Sequence, residues 1–167
     1  ASASSGQPTS VAPPAPRIKM LAVIKGVKSN ACDGVKAAAT WAATRLLEGG
    51  GVDMTETDEN GRNILYWACN RGLDAVALRL LDIGGIDVDA KDSRYGTTPL
   101  WCACREGLDA VALRLLDIGG VDVDAKNSRS GTTLLFWACN KGLDAVAMRL
   151  LDIGGVDVDA KDSRNGT

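Results

Sequence analysis

Hydrophobic residues recur along this chain at helical spacing, and the same pattern returns every 35 residues. Between residues 107 and 120 the apolar positions fall at i, i+3, i+4, i+7 and i+8, as Leu108, Val111, Ala112, Leu115 and Leu116. This spacing predicts an amphipathic helix with one apolar face. The segment 72–85 is identical, and the segment 142–155 differs only in having Met148 where the others have Leu.

A shorter helix is predicted before each of these amphipathic helices. Thr98 suits the N-cap position and Pro99 the first helical position, while Gly107 marks the end of the helix. The second helix has Asp109 in its first turn and ends before the glycine pair 119–120. Residues 121–124 alternate as an extended segment, and 128–131 form a turn. Each unit is therefore helix, turn, helix and an extended loop with a tight turn.

Repetition at this period predicts a solenoid, in which each unit buries its apolar face against its neighbours. The residues Thr98-Pro99-Leu100-Trp101-Cys102-Ala103 match the T-P-L-H-x-A core of the ankyrin repeat everywhere except at His. The chain thus resembles the ankyrin repeat family from residue 17 to residue 167. The resemblance implies an all-α ankyrin-repeat solenoid, built from stacked helix–turn–helix units with β-turn fingers.

Two departures from the family pattern change the expected packing. The family His is replaced by Tyr66, Trp101 and Phe136 in the three units. We therefore expect apolar stacking to take the place of the hydrogen bonds that the family His makes. Two extra residues per unit, near 84–85 and within 93–95, lengthen the loops.

The repeat divides the chain into six parts. These are a low-complexity Ala/Ser/Pro tail at 1–16, a divergent N-terminal capping repeat at 17–57, ankyrin repeats at 58–91, 92–126 and 127–161, and the start of a truncated further repeat at 162–167. The tail is either the remnant of an organelle transit region or a linker. We expect it to lie on a partner or on the solenoid itself.

Composition and charge exclude several classes of function. The 167 residues carry a net charge of −2, which does not favour a nucleic acid partner, and no apolar run is long enough for a membrane span. The absence of His excludes His-based zinc sites and nucleophiles paired with His. We expect no enzyme and no cofactor. Basic residues concentrate near the N-terminus, where Arg17, Lys19, Lys25 and Lys28 could dock on an acidic surface or remain solvated.

Cysteines and paired carboxylates are interpreted as structural. An odd number of cysteines argues for a reducing, intracellular compartment, either the cytoplasm or, with a transit remnant, a plastid or other organelle. Cys69, Cys104 and Cys139 recur once per unit and are expected to be buried. The pairs Asp87/Asp89, Asp122/Asp124 and Asp157/Asp159 could bind a metal, but a role in satisfying turn amides is favoured.

The resemblance implies that partners meet the turn tips and the exposed end of each first helix. The positions carried over are Glu59, Asn60, Arg62, Asn70, Arg71, Arg94, Tyr95, Thr97, Arg105, Glu106, Arg129, Ser130, Thr132, Asn140 and Lys141. Trp67 and Trp137 are either interior residues, which is favoured, or exposed anchors. The predicted partner-contact positions differ between units, whereas the second helices are almost unchanged.

The function expected from this pattern is a non-enzymatic protein–protein interaction module that holds a partner on its concave face. Two alternatives stay open. One is a structural or accessory subunit of a large complex, docked through its basic N-terminal segment. The other is a regulatory region of a longer enzyme. The oligomeric state is not determined by the sequence.

Overall fold

The computed structural model describes residues 20–28, 31–49 and 52–156, which form α-helices joined by turns and loops. The helices are α1 (Met20–Gly26), α2 (Asp33–Glu48), α3 (Ile64–Asn70), α4 (Asp74–Ile83), α5 (Pro99–Glu106), α6 (Asp109–Ile118), α7 (Leu134–Lys141) and α8 (Asp144–Ile153). The tail 1–16 and the segment 162–167 lie outside the described residues. The proposed division of the chain into units therefore stays a prediction.

The helix ends are set by local capping chemistry. The Thr98 side chain accepts a hydrogen bond from the backbone N–H of Trp101, so the predicted N-cap of α5 is confirmed. Asn63 and Thr133 cap α3 and α7 in the same way. Gly107 ends α5 with a φ of 80°, a left-handed conformation that glycine adopts without steric strain. The first helices α3, α5 and α7 therefore begin with the same kind of N-cap.

The helices pack as two rows. The first helices α1, α3, α5 and α7 pack against one another in chain order, and the second helices α2, α4, α6 and α8 form a parallel row behind them. Each first helix also packs on its own second helix. The apolar faces meet between the rows, where Leu100, Val111 and Leu115 are fully buried. A single hairpin does not bury its own apolar face, so contacts between neighbouring repeats hold the stack together.

The loops between hairpins project as turns, which we call fingers, at 58–62, 92–97 and 127–132. In the second finger the N–H of Asp92 donates to the carbonyl of Thr97 over 2.9 Å. Successive fingers are joined, because the N–H of Ser93 donates to Asn60 and that of Ser128 to Tyr95, each over 2.9 Å. In the described part of the chain, β structure is limited to isolated bridges such as Lys126–Thr133.

The aromatic residues at the family His position bind the next finger. The hydroxyl of Tyr66 lies 3.0 Å from Oγ1 of Thr97, and Nε1 of Trp101 donates to the carbonyl of Thr132 over 3.1 Å. The expectation that apolar stacking replaces hydrogen bonding is therefore wrong for Tyr66 and Trp101, because each ring carries a polar edge that reaches the following repeat. Phe136 has no polar edge, and its ring packs on that of Trp137 with the two ring centroids 5.3 Å apart.

The paired aspartates also join repeats. In the pairs 87/89 and 122/124, the first carboxylate accepts the backbone N–H of the second residue, which confirms the turn role for these two pairs. Asp89 accepts from the N–H of Asp122 over 2.9 Å, and Lys91 pairs with Asp122 at 2.6 Å. Asp157/Asp159 lie outside the described residues.

The recurring cysteines do not share one environment. Cys69 and Cys104 are buried as expected, and burial raises the pKa of Cys69 and raises that of Cys104 to about 12. The expectation of burial is wrong for Cys139, which is exposed. α7 packs on α5 and on its own partner helix α8, but no described hairpin follows it, so the surface that covers Cys104 has no counterpart there.

A pair of identical leucines tests the dependence of the core on stacking. Leu116 and Leu151 occupy the same position in successive repeats, but Leu116 is 4% exposed and Leu151 is 48% exposed. We expect Leu116→Ala to lower the free energy of unfolding by about 2–5 kcal/mol, because it leaves a cavity between repeats. Leu151→Ala should cost less than about 1 kcal/mol. Urea unfolding of both variants measures the difference, and equal losses would contradict the repeat-stacking account.

Candidate protein-binding face

The predicted partner-contact residues lie on the fingers and on the first helices, a surface we call the finger face. The structure leaves five of them exposed: Glu59, Arg94, Arg129, Asn140 and Lys141. Seven are half-buried: Asn60, Arg62, Asn70, Arg71, Tyr95, Arg105 and Glu106. Thr97, Ser130 and Thr132 are buried. The finger face is thus an ordered surface with both exposed and structural positions.

The three buried residues serve contacts between repeats. Thr97 Oγ1 meets the Tyr66 hydroxyl, and the carbonyl of Thr132 accepts the Trp101 indole N–H. The hydroxyls of Ser130 and Thr132 lie 2.8 Å apart. Their side chains offer almost no area to a partner in this conformation, which a spacing-based assignment could not show.

Beside the first finger, three cations surround one indole ring. The guanidinium of Arg62 lies 4.5 Å from the ring of Trp67, that of Arg71 lies 4.7 Å away, and Nζ of Lys25 lies at 5.6 Å. Such cation–π contacts contribute most where water is partly excluded. Trp67 is buried, so the favoured interior interpretation is confirmed for it, whereas Trp137 is half-buried.

Asp58 holds this cluster together. Its side chain is 2% exposed and pairs with Arg62 at 2.9 Å and with Lys25 at 3.4 Å. Its Oδ2 also accepts the indole N–H of Trp67 over 3.1 Å. Burial alone would raise the pKa of Asp58, but hydrogen bonds from Arg62, from two turn amides and from Trp67 lower it to about 2. The carboxylate is therefore ionised at neutral pH.

These contacts assign a structural role to two predicted binding residues. Arg62 is committed to Asp58, and Lys25, predicted to dock the N-terminal segment, bridges to Asp58 and lies 3.7 Å from Glu59. Lys28 is exposed. Arg17 and Lys19 lie outside the described residues. A charge reversal at Arg62 would thus disturb folding as well as binding.

A cavity of about 370 Å³ opens at the third finger. Its walls include Arg105 and Trp101 from the preceding repeat together with Asn127 and Trp137. The Trp101 and Trp137 rings meet edge to face at 6.0 Å, and the Arg105 guanidinium lies 5.3 Å from the Trp101 ring. The sequence pattern does not single out Asn127, because its role depends on the finger geometry.

A second cavity, of about 630 Å³, lies where α2 meets the turns that join the hairpin helices. Trp41 on α2 borders it and is 68% exposed. The sequence offered no signal for this residue, because the first unit departs from the repeat pattern.

Among the described residues, no group of three or more acidic or cysteine side chains has the arrangement of a metal site. That part of the chain also contains no helix with the length and hydrophobicity needed to cross a membrane.

Family comparison agrees with this architecture. A family model described as ankyrin repeats in three copies matches residues 29–127, and a model of a single ankyrin repeat matches residues 130–163. The chain belongs to the ankyrin repeat family. The all-α ankyrin solenoid expected from the resemblance is therefore confirmed. None of the curated proteins compared with the chain is similar enough to count as a match.

Ankyrin repeats generally mediate protein–protein interaction, and ankyrin domains are typically non-enzymatic. The finger face is consistent with this general role, because it combines exposed charges with partly buried aromatic rings. Interfaces favour Tyr, Trp and Arg as anchors, and all three residue types are present there.

The Asp58 cluster predicts a pH-dependent stability difference. We expect Asp58→Asn to lower the free energy of unfolding at neutral pH by roughly 2 kcal/mol, since the pKa is lower in the folded state than in the unfolded chain. The contribution is complete above the unfolded pKa of about 4 and is lost as the pH falls through about 2. Denaturant unfolding of both proteins across this range should show their stabilities converging.

The exposed Asp152 provides the matched control. Asp152→Asn removes the same charge without an equivalent cluster, so its stability difference from the parent should be small at every pH. A constant difference for Asp58→Asn down to pH of about 2 would contradict the assigned pKa.

Proposed function

We propose that the finger face of this ankyrin domain binds an acidic segment of a partner protein. The support is the distribution of charge. Of the fifteen predicted contact residues six are cationic and two anionic, and the fingers also hold the buried carboxylates of Asp58 and Asp92, so cations remain in excess although the whole chain has a net charge of −2. Complementary charge steers association and selects among partners. An acidic segment is the partner chemistry that this surface favours.

The observation that carries the proposal is where the repeats differ. The second helices are nearly identical even at exposed positions, and contacts between repeats account for part of that identity. Arg114 pairs with Asp82 and Arg149 with Asp117, each at 3.4 Å. On the finger face, in contrast, one equivalent position is occupied by Arg71, Glu106 and Lys141 in turn. Stacking does not require this variation, so it favours recognition of a partner.

Two cations of the finger face contact neighbouring residues. Arg94 lies 5.9 Å from the ring of Tyr95, and Arg71 donates to the carbonyl of Lys25 over 3.0 Å. Burial is the main cause that lowers the pKa of Arg71, and the nearby guanidiniums of Arg105 and Arg62 lower it further. Side chains ordered before binding lose less conformational entropy when a partner arrives.

Charge reversal on the two faces of the solenoid tests the proposal. The partner is first identified by cross-linking of the full-length protein in its source cells followed by mass spectrometry. We then expect Arg94→Glu combined with Lys141→Glu to raise the Kd for that partner at least about tenfold. Both side chains are exposed, so thermal stability should change little.

The control carries the same change in charge on the second helices. Arg45→Glu combined with Arg79→Glu places two exposed reversals on α2 and α4. Isothermal titration calorimetry should give a Kd within a factor of about two of the parent for this control. Equal weakening by both pairs, or no weakening by the finger-face pair, would refute the proposed site.

Two alternative functions stay predictions: an accessory subunit of a large complex and a regulatory region of a longer enzyme. The identity of the partner would distinguish them.

A further inference from the structure

The three fingers begin with residues in equivalent positions but with different chemistry. Asp58, Asp92 and Asn127 each donate their backbone N–H to the far end of their own finger. In the first finger, Oδ1 of Asp58 accepts two turn amides, from Asn60 over 3.0 Å and Arg62 over 3.1 Å. Its second oxygen is left for the indole of Trp67. One carboxylate thus serves both the turn and the tryptophan.

The third finger retains the tryptophan but not the carboxylate. Oδ1 of Asn127 accepts the turn amides of Arg129 and Ser130, over 2.9 and 3.2 Å. The other branch of its side chain is therefore the amide NH₂, which donates hydrogen bonds and accepts none. It cannot replace Oδ2 of Asp58 as a partner for an indole N–H. Nε1 of Trp137 is accordingly buried with no hydrogen-bond partner in the described part of the chain.

The second finger shows the opposite defect. Asp92 keeps the carboxylate, and its Oδ1 accepts the N–H of Arg94 over 3.0 Å. The tryptophan position is occupied by Cys102, and Oδ2 of Asp92 is buried with no hydrogen-bond partner among the residues described. The hydrogen bond between the indole N–H and the carboxylate forms only at the first finger, where both a tryptophan and an aspartate are present. An unsatisfied buried donor is unfavourable, so the Trp137 N–H gains from any acceptor that reaches it.

The cavity at the third finger lies beside the unsatisfied donor. Asn127 and Trp137 line it, and Arg105 reaches it from the preceding repeat. In the first finger, Lys25 from the preceding helix lies 3.4 Å from the carboxylate of Asp58. Arg105 also pairs with Glu106 at 2.6 Å, so it supplies a partly neutralised positive charge. The lining of the cavity therefore combines one cation, the Asn127 amide and the hydroxyls of Ser130 and Thr132, but it includes no carboxylate.

We propose that this cavity receives the side-chain carboxylate of an Asp or Glu from the partner segment, which supplies the acceptor that Oδ2 of Asp58 supplies in the first finger. The inference depends on the proposed function and specifies the chemistry at one point of the finger face. Nε1 of Trp137 is closed to solvent in the free protein. Binding therefore includes a rotation of the indole that turns its N–H toward the incoming oxygen. The volume of about 370 Å³ lies within the range of small-ligand sites.

Indole resonances provide a direct test. The chain has 4 tryptophans, so ¹⁵N-labelled protein gives four indole N–H signals that single substitutions to Phe assign. The probe is a soluble peptide of alternating Glu and Gly, and the comparison peptide has Gln in place of Glu. We expect the Glu peptide to shift the Trp137 indole proton downfield and to leave that of Trp67 in place. The Gln peptide should shift neither.

Asn127→Asp supplies the missing acceptor from within the chain. We expect its Trp137 indole proton to be shifted downfield without peptide, its melting temperature to rise, and its affinity for the Glu peptide to fall at least about tenfold. Ser128→Asp is the matched control, because it adds the same charge at the adjacent, exposed residue. Its affinity should fall less than about threefold.

The outcomes separate this inference from the proposed function. An unmoved Trp137 signal with shifted amides at Arg94 and Lys141 would overturn the carboxylate site and leave the finger face as the binding surface. Shifts confined to the second helices would overturn both. Equal response to the Gln peptide, or undiminished binding to Asn127→Asp, would also overturn the carboxylate site, as would no response to either peptide.

Discussion

The fold depends on one constraint: a helical hairpin with a single apolar face cannot bury that face alone. Each repeat therefore needs its neighbour, and identical residues take different roles according to what covers them. Leu116 lies between repeats and is buried, while Leu151, with the same neighbours in sequence, remains half exposed. The same constraint fixes the spacing of fingers and first helices, since both are carried by the stacked hairpins.

Regular spacing brings each first helix against the finger of the next repeat. Tyr66 and Trp101 use this proximity, and their polar edges bind the following finger. These hydrogen bonds take over the role that the resemblance assigns to the family His. Each aromatic ring also places a larger apolar surface beside its polar group. Cations then lie against the same aromatic rings, as Arg105 does on Trp101. The finger face is thereby ordered and positively charged, which suits recognition of an acidic segment.

Near-identity of the repeats makes single differences informative. Asp58 with Trp67 forms a complete donor–acceptor pair, Asp92 with Cys102 lacks the donor, and Asn127 with Trp137 lacks the acceptor. The second and third fingers close in the same way, from Asp92 to Thr97 and from Asn127 to Thr132, whereas the first closes one residue earlier, from Asp58 to Arg62. The differences therefore reflect both the residues at these positions and the length of the first finger. Variation within a constant framework is how a repeat protein can specialise one face without loss of stacking.

The sequence by itself determined the period, the helices and their ends, because caps such as Thr98 and stops such as Gly107 act within a few residues. It also located the finger face through the family resemblance. Only the tertiary structure decided which residues of that face are available: Thr97 and Thr132 are buried, Arg62 is committed to Asp58, and Cys139 is exposed. The physical reason is that burial and hydrogen bonding there involve partners about one repeat away, as in the Tyr66–Thr97 contact, and local patterns of polarity do not record such distant contacts.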